Sequence, residues 1–281
     1  MKTVSRPIMT LALVACLTTG LFANGLNLNG FGARASGMGG AFVGLANDYT
    51  AVFWNPAGLA LSNKATFGLS GDILIPSAKY TLGAYSMETQ SKMYPAGILG
   101  YFQPIGENIV VGVGAYTLSG LGAAWDNTGL EEALISPFPP SAFTPTVTPS
   151  TWESFIASVT IAPAIAVKVS EQFYLGATFN VNYGFFKMDR WGEYMMVEIT
   201  APPSDNLAVA PTLINFGQQT LDVKGWGFGA TIGVLVKPAD WISLGATFRT
   251  ESKLKLSGMT EIENIDLLGL PNESDTKMNV A

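Results

Sequence analysis

From Thr66 onward the chain repeats one motif of polarity: apolar and polar or small residues alternate, a period of two that predicts β-strands with one apolar face. Between Thr66 and Ile75, Phe67, Leu69, Gly71 and Ile73 share a face against Thr66, Gly68, Ser70 and Asp72. Gly97–Gln103 is a second strand, with ambiguous facing. Ile109–Thr117 sets Ile109, Val111, Val113 and Ala115 opposite Val110, Gly112, Gly114 and Tyr116. Glu153–Val169 carries Phe155, Val159, Ile161, Ile165 and Val167 on its odd positions. The pattern is clearest over Phe173–Phe185, where Phe173, Leu175, Phe179, Val181, Tyr183 and Phe185 oppose Tyr174, Thr178, Asn180 and Asn182. Val223–Lys237 aligns Trp226, Phe228, Ala230, Ile232, Val234 and Val236 against glycines and Thr231. Trp241–Leu256 aligns Ile242, Leu244, Ala246, Phe248, Leu254 and Leu256 against Ser243, Thr247, Arg249, Glu251, Lys253 and Lys255. A further strand starts at Lys277–Ala281.

The charged face of Trp241–Leu256 is expected to meet water, because a basic side chain in the middle of a bilayer costs about 2–4 kcal/mol. The connections fall into two lengths. Short ones lie at Pro104–Asn108, Ser170–Gln172 and Pro238–Asp240; long ones at Pro76–Tyr94, Ser119–Trp152, Arg190–Asp222 and Ser257–Thr276. Short and long in strict alternation is the rhythm of an outer-membrane barrel, whose periplasmic turns are tight and whose external loops are long. A soluble β-sandwich would also alternate, but it fits poorly with the long strands and the one-sided long loops. Leu-Gly-Ala-Thr-Phe occurs at Leu175–Phe179 and again at Leu244–Phe248, each time just after a short turn, and reads as a repeated strand-start preference.

Composition sharpens this picture. Of 281 residues 48% are hydrophobic and only 13% charged, with a mean hydropathy of +0.30, apolar for a chain that must clothe a soluble surface. After the first 25 residues there is no run of about 18 apolar positions, so helices that span a bilayer are not expected. A net charge of −6 argues against a nucleic-acid surface. The absence of histidine removes His-based triads and His metal sites, and no catalytic residues, metal ligands or cofactor are assigned. Gly37-Met38-Gly39-Gly40 lacks the strand and lysine of a phosphate loop. Asp126, Glu131, Glu132 and Asp205 read as solvated loop carboxylates rather than a calcium site.

The N-terminus reads as a secretory signal peptide over residues 1–23: Lys2 and Arg6, the apolar run Ile8–Leu17, and small residues up to Ala23. The one cysteine, Cys16, ends Leu-Val-Ala-Cys, an alternative lipoprotein cleavage box. Between leader and strands, Phe31–Leu59 is rich in Gly and Ala and has neither helical nor strand period, so it is expected to be compact only against walls supplied by the strands. The predicted organisation is a plug, or hatch, over residues 24–62 inside strands drawn from residues 63–281.

Ser36, Gly37 and Gly39, followed by Asn55, Pro56 and Ala57, resemble the plug of the FadL/TodX family of outer-membrane transporters for hydrophobic compounds. The resemblance implies an all-β fold, a transmembrane antiparallel barrel with an N-terminal plug. Family barrels have roughly fourteen strands, so this chain, with about seven and the start of an eighth, is expected to be an N-terminal part of one. The implied function is uptake of long-chain fatty acids or aromatic hydrocarbons by passive diffusion, not an enzymatic one. The steps are capture between external loops, an apolar internal pocket, plug rearrangement and sideways exit into the bilayer.

Candidate capture residues are Trp125, Phe138, Phe143, Met195, Met196 and Phe216, which otherwise read as loop packing over the barrel mouth. Gly112 and Gly114 are candidates for the strand at a lateral gap, or for making room for the plug. The expected partners are hydrophobic small molecules, outer-membrane lipids and the barrel assembly machinery. The competing function is a plugged barrel that serves as a structural or secretion-associated scaffold.

Overall fold

The computed structural model describes residues 27–28, 30–83, 85–126, 151–191, 194–198, 211–215, 217–263 and 276–280. The expected signal peptide, Phe138, Phe143 and Phe216 lie outside these residues. The alternating segments form strands β1 (Thr66–Leu74), β4 (Tyr94–Ile105), β5 (Ile109–Asp126), β6 (Thr151–Ser170), β7 (Phe173–Trp191) and β10 (Gln218–Ala239). They continue through β11 (Ile242–Arg249), β12 (Lys255–Glu263) and β13 (Thr276–Val280). Two short hairpins, β2 (Lys79–Leu82) with β3 (Tyr85–Glu88) and β8 (Tyr194–Glu198) with β9 (Pro211–Asn215), stand in the long connections.

The main sheet is antiparallel throughout, in the order β1-β4-β5-β6-β7-β10-β12-β13, with β11 also paired to β10. Among the described residues β1 and β13 each have one neighbour, so the curled sheet is an open part of a barrel. Phe67, Leu69, Ile73, Phe179, Trp226, Phe228 and Ile232 are all more than half exposed on its outer face, the surface a bilayer would cover. The inner face is small and polar: Ser158, Thr160, Ala162, Ala164 and Ala166 on β6, and Thr178, Asn180 and Asn182 on β7, are buried.

Two readings of the sequence need correction. Strands run further than the alternation: β5 continues to Asp126 and β7 to Trp191, so Leu121 and Trp125 belong to a ladder and not to a free loop. There the alternation of apolar and polar residues stops, and the backbone hydrogen bonds of the ladder carry the strand on. Second, β11 and β12 are one wall strand with a one-residue bulge. Thr231 pairs with Arg249 but Trp226 pairs with Lys255, so Thr250–Leu254 oppose only Gly227–Ala230. The extra residue reverses the facing of everything after it. Arg249 points inward, whereas Lys255 shares the outer face with Trp226 and Leu254 turns in against Gly184; Arg249 and Lys255 therefore do not share a face. Thr250 Oγ1 accepts the Ala230 N–H at 2.8 Å, taking over a ladder bond at the bulge.

Residues 30–62 pack on the inner face as helix α1 (Ala33–Gly37), helix α2 (Ala51–Trp54) and a 3-10 turn, Pro56–Leu61. Gly39 and Gly40, with φ of 63° and 81°, end α1 in a left-handed conformation that residues with a Cβ rarely adopt. The common core joins Phe31, Phe42, Val52 and Ala57 of this segment to Ile98, Phe102, Tyr116, Ala166 and Leu235 of the wall.

Candidate functional site

The two halves of the Ser-Gly/Asn-Pro-Ala signature are treated very differently. Ser36, Gly37 and Gly39 lie exposed at the end of α1, where Arg34 Nη1 donates to Asn47 Oδ1 at 2.6 Å. Asn55, Pro56 and Ala57 are buried against the wall. Asn55 Nδ2 donates to Val43 O and to Val234 O of β10, both at 2.9 Å, and Asn55 Oδ1 accepts the Ala57 N–H at 3.2 Å. One side chain therefore ties a turn, the neighbouring loop and a wall strand together. Pro56 follows as the first residue of the 3-10 turn, where a missing N–H leaves no bond unmade. The wall makes room for this turn with Gly176 and Gly233: a Cβ at the first would collide with the Pro56 carbonyl, and at the second with Asn55 Oδ1.

α2 brings an aromatic cluster beside the anchor. Asp48 Oδ1 accepts the Thr50 N–H at 2.8 Å and the Thr50 hydroxyl at 2.5 Å, opening α2. Trp54 Nε1 donates to Phe31 O at 3.0 Å, and the Phe53 ring stands edge-on to Phe31 at 4.8 Å and to Tyr116 of β5 at 5.3 Å. Arg249 closes the cluster from the opposite wall. Its Nη2 donates to Phe53 O at 2.8 Å, its Nε donates to Thr231 Oγ1 at 3.3 Å, and its guanidinium lies 4.7 Å from the Phe53 ring centre. Burial pushes the Tyr49 phenol above its ordinary value, so it stays neutral against Gly68 of β1.

A polar seam crosses the inner wall. Thr160 Oγ1 donates to Asn182 Oδ1 at 2.5 Å, Asn182 Nδ2 donates to Ser252 Oγ in the bulge at 2.8 Å, and Asn180 Nδ2 donates to Thr231 Oγ1 at 2.9 Å. These bonds satisfy side chains that would otherwise be costly to bury.

The wall itself has a window. β4 pairs with β1 along Thr66–Leu74, but its pairing with β5 stops at Ile98 and Tyr116. Among the described residues, backbone pairing to β5 resumes where Thr89 bridges Trp125 and the Gln90 N–H meets Ala124 O at 2.7 Å, and in between only side chains such as Tyr94, against Gly122, span the interval. The interval Thr117–Ala123 is about 23 Å along the strand. A bulge between Thr117 and Ser119 falls within it. On the inner side the N-terminal segment fills the edge: Asn27 bridges Ser119, and the Leu28 N–H reaches Leu118 O at 3.4 Å. An apolar cavity of about 250 Å³ lies in the window, lined by Leu28, Leu74, Tyr94, Pro95, Leu121 and Phe155. Tyr94 stacks on Phe155 at 5.1 Å, and its buried hydroxyl has no hydrogen-bond partner among the described residues.

Gly112 and Gly114 stand in the regularly paired stretch just below the window, opposite Phe102 and Gly100. A Cβ on Gly114 would strike Val52 of α2, so its space is taken by the N-terminal segment. Met195 and Met196 pair with Ile214 and Leu213 in the β8–β9 hairpin, and Trp125 lies at the upper rim of the window. Sequence reasoning did not single out Arg249 as a partner of Phe53 or Leu28 and Tyr94 as window residues. An arginine on the inner face of a barrel strand was the available signal for the first; for the window, no local pattern announces where two strands part.

Residues 138–273 match the family described as Outer membrane protein transport protein (OMPP1/FadL/TodX). Among curated proteins none matches. The fold is similar to the toluene transporter TodX of P. putida, with a TM-score of 0.66 at 15% identity over 90% of this chain and 62% of that one. It is also similar to the Ralstonia pickettii toluene transporter TbuX, with a TM-score of 0.60 at 17% identity, covering 85% and 62% of the two chains. A Pseudomonas aeruginosa FadL homologue gives 0.55 at 16% identity, covering 85% and 55%. The chain thus spans a little over half of the length of these channels. Just under half of the chain, over strands β6 to β12, thus matches the family of OMPP1/FadL/TodX outer-membrane transport proteins, and the fold is held in common with these solved structures.

Proposed function

We propose that this chain is the plug-bearing part of an outer-membrane channel through which hydrophobic compounds, aromatic hydrocarbons or long-chain fatty acids, diffuse passively and leave sideways through the β4–β5 window. The observation that carries this reading is the apolar window with the N-terminal segment paired into its inner edge. A hydrocarbon crosses a water-filled pore poorly because its surface gains about 25 cal/mol per Å² on leaving water. An opening lined by Leu74, Tyr94, Leu121 and Phe155 hands it to lipid without that exposure. The similar channels named for toluene and for monoaromatic hydrocarbons favour aromatic substrates. Capture falls to the external side, with Trp125, Phe138, Phe143, Met195, Met196 and Phe216 as the proposed apolar contacts. Residues 24–62 act as the plug: Asn55 keeps its base in place while Asn27 and Leu28 withdraw to open the window.

The test is a reversible lock. Asn27→Cys with Ser119→Cys places two thiols on directly opposed residues, within reach of a disulfide, in a chain whose natural cysteine lies in the expected leader. In the full-length protein, uptake of labelled toluene or oleate should stop on oxidation and return on reduction. Uptake that continues through the locked protein overturns lateral release. A protein that takes up neither probe and instead co-purifies with a stable protein partner would favour the scaffold reading.

A further inference from the structure

On the outer face of β10, the run from Val236 to Trp226 is apolar apart from the backbone of its glycines and Thr231, which face inward. Its length is about 33 Å along the strand, or about 25 Å in height at a tilt of about 40°, which matches the apolar band of an outer-membrane barrel. Trp226 and Tyr183, with ring centres 4.8 Å apart, therefore sit at the upper border of the hydrocarbon, on the side away from the short Pro238–Asp240 turn.

Two lysines are set at that border. Lys224 is two residues above Trp226 on the same face, and Lys255 is the direct cross-strand neighbour of Trp226. Lys255 faces outward only because of the bulge at Thr250–Leu254; in unbroken register it would face the interior. Both lysines are exposed, and neither has an ion-pair partner among the described residues. Asp222, the carboxylate on this face nearest to Lys224 along β10, is engaged by Lys187 at 3.3 Å. Below the ammonium groups an open cleft of about 950 Å³ runs down over Val159, Ile161, Tyr183 and Trp226. A paired cationic head over an aromatic ledge and an aliphatic furrow has the shape and polarity of an amphiphile with an anionic head.

We propose that this cleft binds a phosphorylated glycolipid of the outer leaflet, with the phosphate held between Lys224 and Lys255, the sugar on Trp226 and Tyr183, and an acyl chain along Val159 and Ile161. This site lies on the outer surface of the wall and is independent of what the interior carries. Lysine is suited to phosphate as a compact point charge, and at the membrane border it escapes the cost of the midplane.

The experiment is native mass spectrometry of the full-length protein, extracted in mild detergent and titrated with diphosphoryl lipid A. Lys224→Gln combined with Lys255→Gln should lower retention about tenfold, the equivalent of one charge-assisted contact. Lys168→Gln, at the short-turn end of β6, should leave it unchanged, and heat-modifiable gel mobility should show both variants assembled. Dephosphorylated lipid A should bind the natural protein as weakly as diphosphoryl lipid A binds the double variant. Equal retention of lipid A by the natural and doubly substituted proteins overturns the site, as does displacement of the lipid by millimolar inorganic phosphate, which would mean a free-anion site instead.

Discussion

The plug meets the wall at two places built to opposite specifications. Around Asn55–Ala57 it is buried, three side-chain hydrogen bonds radiate from one amide, and two wall strands give up their side chains, at Gly176 and Gly233, to let its backbone in. At Asn27–Leu28, among the described residues, it is held by one bridge, one long hydrogen bond of 3.4 Å and the packing of the Leu28 side chain, next to an apolar cavity. The difference is that of a hinge base and a latch. Local opening free energy follows buried contacts and paired backbone, so the two ends are expected to open at very different rates while belonging to one segment.

That contrast can be broken most forcefully at the base. Gly233→Val pushes a side chain into Asn55 Oδ1 and Pro56, and should unseat the plug at a cost of about 3 kcal/mol or more, read as rapid proteolysis of residues 30–62 in the assembled barrel. Asn55→Ala leaves Val43 O, Val234 O and the Ala57 N–H without their partner, and should cost about 2–4 kcal/mol in the same assay. Arg249→Met removes the donor to Phe53 O and the cation over its ring. We expect a loss of about 1–3 kcal/mol, with hydrogen exchange of α2 accelerating accordingly.

The latch sharpens the comparison from the other side. Leu28→Pro deletes the N–H that reaches Leu118, and should change stability by about 1 kcal/mol or less while raising the rate of hydrocarbon uptake. Equal proteolytic sensitivity of the Asn55→Ala and Leu28→Pro proteins would dissolve the distinction. Last and smallest is pH. Because burial raises the folded Tyr49 phenol above 10.0, its contribution is intact below that value and is lost as pH climbs through the raised one. Plug protection should therefore be level through neutrality and decline only in strong alkali.

Much of the wall was legible because a bilayer outside and a packed, polar seam inside impose a strict period of two. Phe173–Phe185 shows this best: every large residue on its odd positions faces out, and Thr178, Asn180 and Asn182 face in. Legibility fails where that contrast fails. At Thr250–Leu254 one inserted residue inverts the pattern, and a run of Glu251, Ser252 and Lys253 gives no sign of where the inversion occurs. Beside the window, Leu118–Trp125 stays in the ladder without any rhythm of polarity to declare it. The Asn-Pro-Ala turn was recognisable as a motif, but its partners were not. Val234 and Arg249 are supplied from 179 and 196 residues away, a separation that no local reading can bridge.

Those separations also set an order of events. The segment can lay its aromatic cluster on Tyr116 once β5 is made, but it cannot complete the hydrogen bonds of Asn55 and of Phe53 O until β10 and β11 have followed. Contacts this distant in sequence form late and slowly. The anchor at Asn55 is therefore a clasp that the wall itself must supply: the segment waits on β10, and the bond that fixes the plug doubles as a check that the strand has been laid in register.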